Sequence, residues 1–228
     1  MAFQLKEIVP WGRSFNEYKG MFRLTEDDLH KTILGCGDGP ASFNAELTEL
    51  GGRCVSVDPI YQFTAEQIRT RIHTTFPDAI LQTDKNKHEF TWESISSIKA
   101  LAQIRLDAMK RFLSDYETAR TNERYFPQSV TGLSFSDKTF DLALSSHFLF
   151  LYSDHLDLSF HIEAITEMCR VASEIRIFPL LQMGTRPSPH VQPVQNHFQS
   201  EGYKVDQVRV SYEFQRGGNQ MLVIKEGK

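Results

Sequence analysis

A chain of 228 residues that is 40% hydrophobic has the material for one α/β domain with a sizeable core. Its formal net charge of -4 argues against a general nucleic-acid binder, which would carry a basic face. No apolar run approaches the roughly 18 residues that span a bilayer, and Cys36, Cys54 and Cys169 offer neither a Cys-x-x-Cys metal spacing nor a disulfide framework.

Residues 1–29 are rich in aromatics, namely Phe3, Trp11, Phe15, Tyr18 and Phe22. Burial preference predicts an N-terminal helix packed on the core. The functional alternative places Trp11, Arg13 or Tyr18 over a ligand mouth. Met1 to Glu7 lack the charged-then-apolar layout of a signal peptide, and three cysteines without a disulfide framework make a reducing cytoplasm the expected location. Thr32-Ile33-Leu34 reads as a first, central strand. From Pro40 the spacing turns helical through Phe43, Leu47 and Leu50, and Gly51-Gly52 closes that helix. Cys54 to Val57 is a second strand, ending at Asp58.

Residues 59–123 are too long for a plain connection. Ile95, Ile98, Ala102, Leu106, Met109, Leu113 and Tyr116 predict one long amphipathic helix there, and Gln67 to His73 another. This is read as a helical insertion or lid whose polar face, with Lys99, Arg105, Lys110, Arg111 and Arg120, is expected to be solvated. Strands follow at Arg124-Tyr125-Phe126, at Phe140 to Ser145 and at Ile175 to Leu181, with helices over His161 to Ala172 and Val194 to Ser200. Val208, Val210, Tyr212 and Phe214 alternate, Arg216 to Asn219 supply turn chemistry, and Met221 to Ile224 are apolar; the pattern predicts a terminal β-hairpin. Alternating βα units with such a hairpin imply a mostly parallel sheet with one antiparallel strand.

The most informative stretch is Ile33-Leu34-Gly35-Cys36-Gly37-Asp38-Gly39-Pro40, with Val55-Ser56-Val57-Asp58 about twenty residues on. Glycines at alternate positions between a strand and a helix let the backbone turn sharply and touch a ligand. An acid ending the next strand suits the two hydroxyls of a ribose. A dinucleotide site would have Gly-x-Gly-x-x-Gly, but the third glycine of that pattern is replaced here by Pro40. The layout resembles the binding loop of class I S-adenosylmethionine (SAM) dependent methyltransferases, over residues 30–58 and 124–225.

That resemblance implies a Rossmann-like, seven-stranded sheet of order 3-2-1-4-5-7-6 in a single domain over 1–228. It implies SAM as cofactor and S-adenosylhomocysteine as product. The cofactor residues it points to are Gly35, Cys36, Gly37 and Gly39 in the loop, and Asp58 with Pro59 beside the adenosine. Ser129 and Val130 fall where relatives hold the adenine, and Ser145 and Ser146 end the fourth strand. Two positions depart from the family: Ile33 stands where an acid usually faces the methionine amino group, and Ser129 where an Asp binds the adenine amine.

His147 follows the fourth strand, where a base would take a proton from an acceptor hydroxyl. Trp11, Tyr18, Phe148 and Tyr152 are the expected walls of an acceptor pocket. No metal spacing is found among the histidines. The function expected is methyl transfer to a small molecule. A protein acceptor and a SAM-binding module without transfer are the alternatives, and no membrane partner is implied.

Overall fold

The computed structural model describes residues 10–227, so Phe3 and the rest of residues 1–9 lie outside the described residues. Seven strands, β1 (Thr32–Cys36), β2 (Arg53–Val57), β3 (Tyr125–Phe126), β4 (Phe140–Ser146), β5 (Ala172–Phe178), β6 (Tyr203–Arg209) and β7 (Gln220–Glu226), form one sheet. Its order is β3-β2-β1-β4-β5-β7-β6, as the resemblance implies. The first five strands are mutually parallel, and β7 runs antiparallel to both β5 and β6.

Helices cover both faces, which is why β1, β4 and β5 are apolar on both sides. On one face α6 (Leu158–Val171) and α7 (Val191–Ser200) bury Ile165, Met168, Val194 and Phe198 against Leu34, Ala143, Ile175 and Leu222. On the other, α1 (Phe15–Phe22) and α3 (Phe43–Glu49) bury Tyr18, Phe22, Phe43 and Leu47 against Ile33, Leu142, Leu144 and Val223. A four-residue helix, α2 (Glu26–Leu29), leads into β1. Between β2 and β3 run α4 (Ala65–Lys85) and α5 (Ile98–Thr121), which share an aromatic core of Tyr61, Phe112, Tyr116 and Tyr125.

Four expectations shift. The helix after the glycines starts at Phe43 with Ser42 as its N-cap, so Pro40 lies in the turn before it. The strand expected at 175–181 runs from Ala172 to Phe178. The hairpin forms, but its first strand is Tyr203–Arg209 and residues 210–219 make the connection. Tyr212 and Phe214 alternate for a different reason: Phe214 stacks on Phe90, with ring centroids 4.9 Å apart, and Tyr212 packs edge-on to Phe178. Finally, Arg105 is not solvated. It is fully buried on α5, where both its terminal nitrogens donate to Glu17 of α1 at 2.5 and 2.7 Å.

Candidate functional site

The carboxyl ends of β1, β2 and β4 open into a cavity of about 790 Å³. That is toward the upper end of the ~300–1,000 Å³ usual for small-molecule sites. The N-terminal segment, the glycine loop, α4, the β4–α6 connection and the 210–219 connection all contribute walls.

The glycine loop is shaped by its own acids. Gly37 and Gly39 have φ of 69° and 51°, in the left-handed region that favours glycine. A Cβ on Gly35 would lie 1.7 Å from an oxygen of Asp38, so glycine there makes room for that carboxylate. Asp38 is buried, and accepts from the Tyr18 hydroxyl and the Ser56 hydroxyl, each at 2.8 Å. Burial pushes its pKa up to about 6, the two hydroxyls opposing and the charge of Asp58 adding to the rise. Tyr18 thereby ties α1 to the loop.

Asp58 is the second acid. Its Oδ2 accepts from the Gly39 N–H at 2.9 Å and its Oδ1 from the Ile60 N–H at 2.8 Å, capping the turn Pro59–Gln62. Burial raises its pKa and the two amides work against that rise. Turn capping and ligand binding are therefore compatible: a carboxylate has about four acceptor positions, and two are taken here. The Gly39 carbonyl is held from the other side by the Tyr61 hydroxyl at 2.8 Å. Tyr61 is in turn held by Tyr116 of α5, whose hydroxyl donates to the Tyr61 carbonyl at 2.9 Å. Sequence reasoning missed both Asp38 and Tyr61. Neither had a local signal: Asp38 is held by Tyr18 and Ser56, 20 and 18 residues away, and Tyr61 reaches back 22 residues to Gly39.

Among the expected cofactor residues, Gly37, Gly39, Asp58, Pro59, Ser129, Val130 and Ser146 line the cavity, whereas Gly35, Cys36 and Ser145 do not. Cys36 and Ser145 are fully buried beneath it. Ser129 is exposed at the rim, with its hydroxyl 2.9 Å from that of Thr131. The neighbouring Gln128 also reaches the wall. A Cβ on Gly37 would strike the Phe148 ring at 2.6 Å, so Phe148 closes over the loop. A Cβ on Gly39 would meet only an Asp58 oxygen at 3.9 Å and otherwise point into open space.

Trp11, Tyr18, Phe148 and Tyr152 all line the cavity. Trp11 stacks on Phe76 of α4, with centroids 5.3 Å apart, and so joins the N-terminal segment to the insertion. His147 stands at the end of β4 with φ 51°, an uncommon state for a residue with a Cβ. Its N–H donates to the Phe178 carbonyl at 2.7 Å and its Nδ1 lies 3.0 Å from the Ser146 hydroxyl. Burial, then the positive charges of Arg13 and Arg105, push its pKa well below the usual imidazole value. At neutral pH it is an uncharged ring that can accept a proton. Among the described residues no cluster of His, Cys, Asp and Glu has the makings of a metal site.

The sheet order is that of the class I SAM-dependent methyltransferase fold. The chain is 34% identical over 223 residues to the uncharacterized protein MJ0045 of Methanocaldococcus jannaschii, covering 97% of each chain, and it belongs to the same family. No family model matches. Among solved structures, the PH0226 protein of Pyrococcus horikoshii OT3 superposes with a TM-score of 0.51 at 11% identity, covering 92% of this chain and 90% of that one. Magnesium protoporphyrin IX methyltransferase of Synechocystis PCC 6803 gives 0.47 at 10% identity, over 89% and 73% of the two chains. At such identities the likeness is one of fold.

Proposed function

We propose that the chain is a SAM-dependent methyltransferase acting on a small molecule. The observation that carries this reading is the cradle of Gly37, Gly39 and Asp58. At Gly39 the backbone is bare toward the cavity, at Gly37 it lies under the Phe148 ring, and a half-free carboxylate stands beside them. A nucleoside with an amino-acid tail fits such a site better than a dinucleotide does, since the third glycine of the pyrophosphate pattern is Pro40. Asp58 would receive the ribose hydroxyls, Pro59, Val130 and Ser129 would border the adenine, and Ser146 would lie near the methionine portion. Asp38, ionised above about pH 6, supplies the negative charge absent at Ile33.

When bound, SAM supplies an electrophilic methyl group on a sulfonium. The protein's own task is to place an acceptor lone pair in line and exclude water. Phe148, Trp11 and Tyr152 provide an apolar wall for that purpose. His147, neutral and oriented by Ser146, is the group placed to take a proton from an acceptor hydroxyl or amine. Its depressed pKa makes it a weak base, suited to an acceptor that is itself acidic.

The test is incubation of the purified chain with SAM and a metabolite extract, with mass detection of products 14 Da heavier, alongside His147→Ala. Appearance of a methylated product supports the reading. Saturable SAM binding without any product from chemically diverse extracts would favour a SAM-binding module instead.

A further inference from the structure

Among the described residues, Arg13 is a cation at the cavity wall whose Nε and Nη1 are buried with no hydrogen-bond partner. The carboxylate whose charge Arg13 feels is Glu17. Glu17 is already occupied: its oxygens accept two bonds from Arg105, one from the Tyr212 hydroxyl at 2.8 Å and one from the Ser14 N–H at 2.9 Å. Asp38 is turned to Tyr18 and Ser56. Burial, reinforced by the charge of Arg105, brings the Arg13 pKa down to about 10, so the group remains a cation at neutral pH. Buried guanidinium donors left without acceptors are costly, because each gives up its hydration with nothing in its place. The chain bears that cost at the cavity wall, beside the imidazole of His147, whose titration Arg13 depresses.

We infer that Arg13 is the carboxylate-binding residue of this cavity. The guanidinium is planar and donates in a fork that matches a carboxylate, which an ammonium does not. Two sources of that carboxylate are compatible with its place: the amino-acid end of the cofactor, or an acid group on the methyl acceptor. The first rests on the methyl-donor reading given above; the second does not need it.

Three chains are compared: the parent, Arg13→Met, which keeps the apolar stem, and Arg13→Lys, which keeps the charge. Each is titrated calorimetrically with S-adenosylhomocysteine, with 5′-methylthioadenosine (which lacks the amino-acid end), and with benzoate against benzamide. The benzoate titrations use both the free protein and the protein loaded with S-adenosylhomocysteine. A tenfold or greater loss of S-adenosylhomocysteine affinity in Arg13→Met, with methylthioadenosine unchanged and partial recovery in Arg13→Lys, supports the inference and assigns the cofactor's carboxylate. Unchanged nucleoside binding, with benzoate but not benzamide binding lost in Arg13→Met, supports it and assigns the acceptor. If the parent binds neither nucleoside, the methyl-donor reading fails while the benzoate arm still tests Arg13. The inference is overturned if Arg13→Met alters neither the nucleoside ratio nor benzoate binding. It is equally overturned if that variant melts well below the parent, since a residue kept for a ligand rather than for the fold should leave Tm unchanged or raised.

Discussion

At the scale of single residues, the two acids beside the glycine loop do different work and can be separated by titration. Asp38 has a folded pKa of about 6 against 3.8 for an ordinary aspartate, chiefly because it is buried. A pKa raised by folding means that stability is fully present below the unfolded value and is lost as pH rises through 6, by roughly 3 kcal/mol in total. The difference in unfolding free energy between the parent and Asp38→Asn, followed by urea titration from pH 4 to 7.5, should show that slope in the parent alone. Ligand binding should run the opposite way, weakening below pH 6 as the carboxyl is neutralised. Asp58 is tested by Asp58→Asn, which removes the charge and keeps an acceptor for one of the two amides, Gly39 or Ile60, that now bond its two oxygens. It should cost about 1.5–3 kcal/mol of S-adenosylhomocysteine affinity, the range for hydrogen bonds to a charged group, and lower stability by the roughly 1–3 kcal/mol of one unpaired amide. A loss of under about 0.5 kcal/mol would reduce Asp58 to a turn cap.

Between elements, the coupling of greatest consequence joins α1, α5 and the 210–219 connection through Glu17, Arg105 and Tyr212. Burial alone would raise the Glu17 pKa, but the charge and hydrogen bonds of Arg105 outweigh it and hold the carboxyl well below its usual range. Arg105→Met strands that carboxylate and should destabilise the protein by about 3–5 kcal/mol, as removal of one partner from a buried pair does. The double variant Glu17→Gln with Arg105→Met should recover most of this in chemical denaturation; additive losses would show that no coupling exists. Half of this arrangement is legible in the chain itself. Ser14-Phe15-Asn16-Glu17 has the capping-box spacing, and both reciprocal bonds form. The other half lies 88 residues away, where Arg105 follows the polar periodicity of α5 and is buried only because α1 packs against it. Local pattern carries no information about such a partner. For the same reason Tyr212 and Phe214 suggested strand alternation, although Tyr212 is held by α1 and Phe178 and Phe214 by Phe90 and Trp92, with neither in a strand.

For the molecule as a whole, strand order and the position of the cavity follow from alternating βα patterns and one glycine loop, and both are readable in the sequence. Of the groups that close the cavity, Trp11, Tyr18, Phe148 and Tyr152 were legible, whereas Phe214 and Gln215 of the 210–219 connection were not. Removing residues 92–121 would delete α5 with Phe112 and Tyr116 from an aromatic core and strip Arg105 from Glu17, so such a deletion tests folding rather than a lid. Gly37 is likewise a poor probe, because a Cβ there meets Phe148 before any ligand. Gly39 is the better one. Its φ of 51° suits asparagine better than other residues with side chains, and a Cβ there faces open cavity. The most direct measurement is therefore calorimetric titration of S-adenosylhomocysteine, with NAD as comparator, into the parent and Gly39→Asn. Saturable micromolar binding of S-adenosylhomocysteine by the parent, no binding of NAD, and at least tenfold weaker binding by a Gly39→Asn protein that melts within a few degrees of the parent is the result predicted. Failure of the parent to bind S-adenosylhomocysteine, or equal binding by folded Gly39→Asn, would contradict the assignment of this cavity as a methyl-donor site.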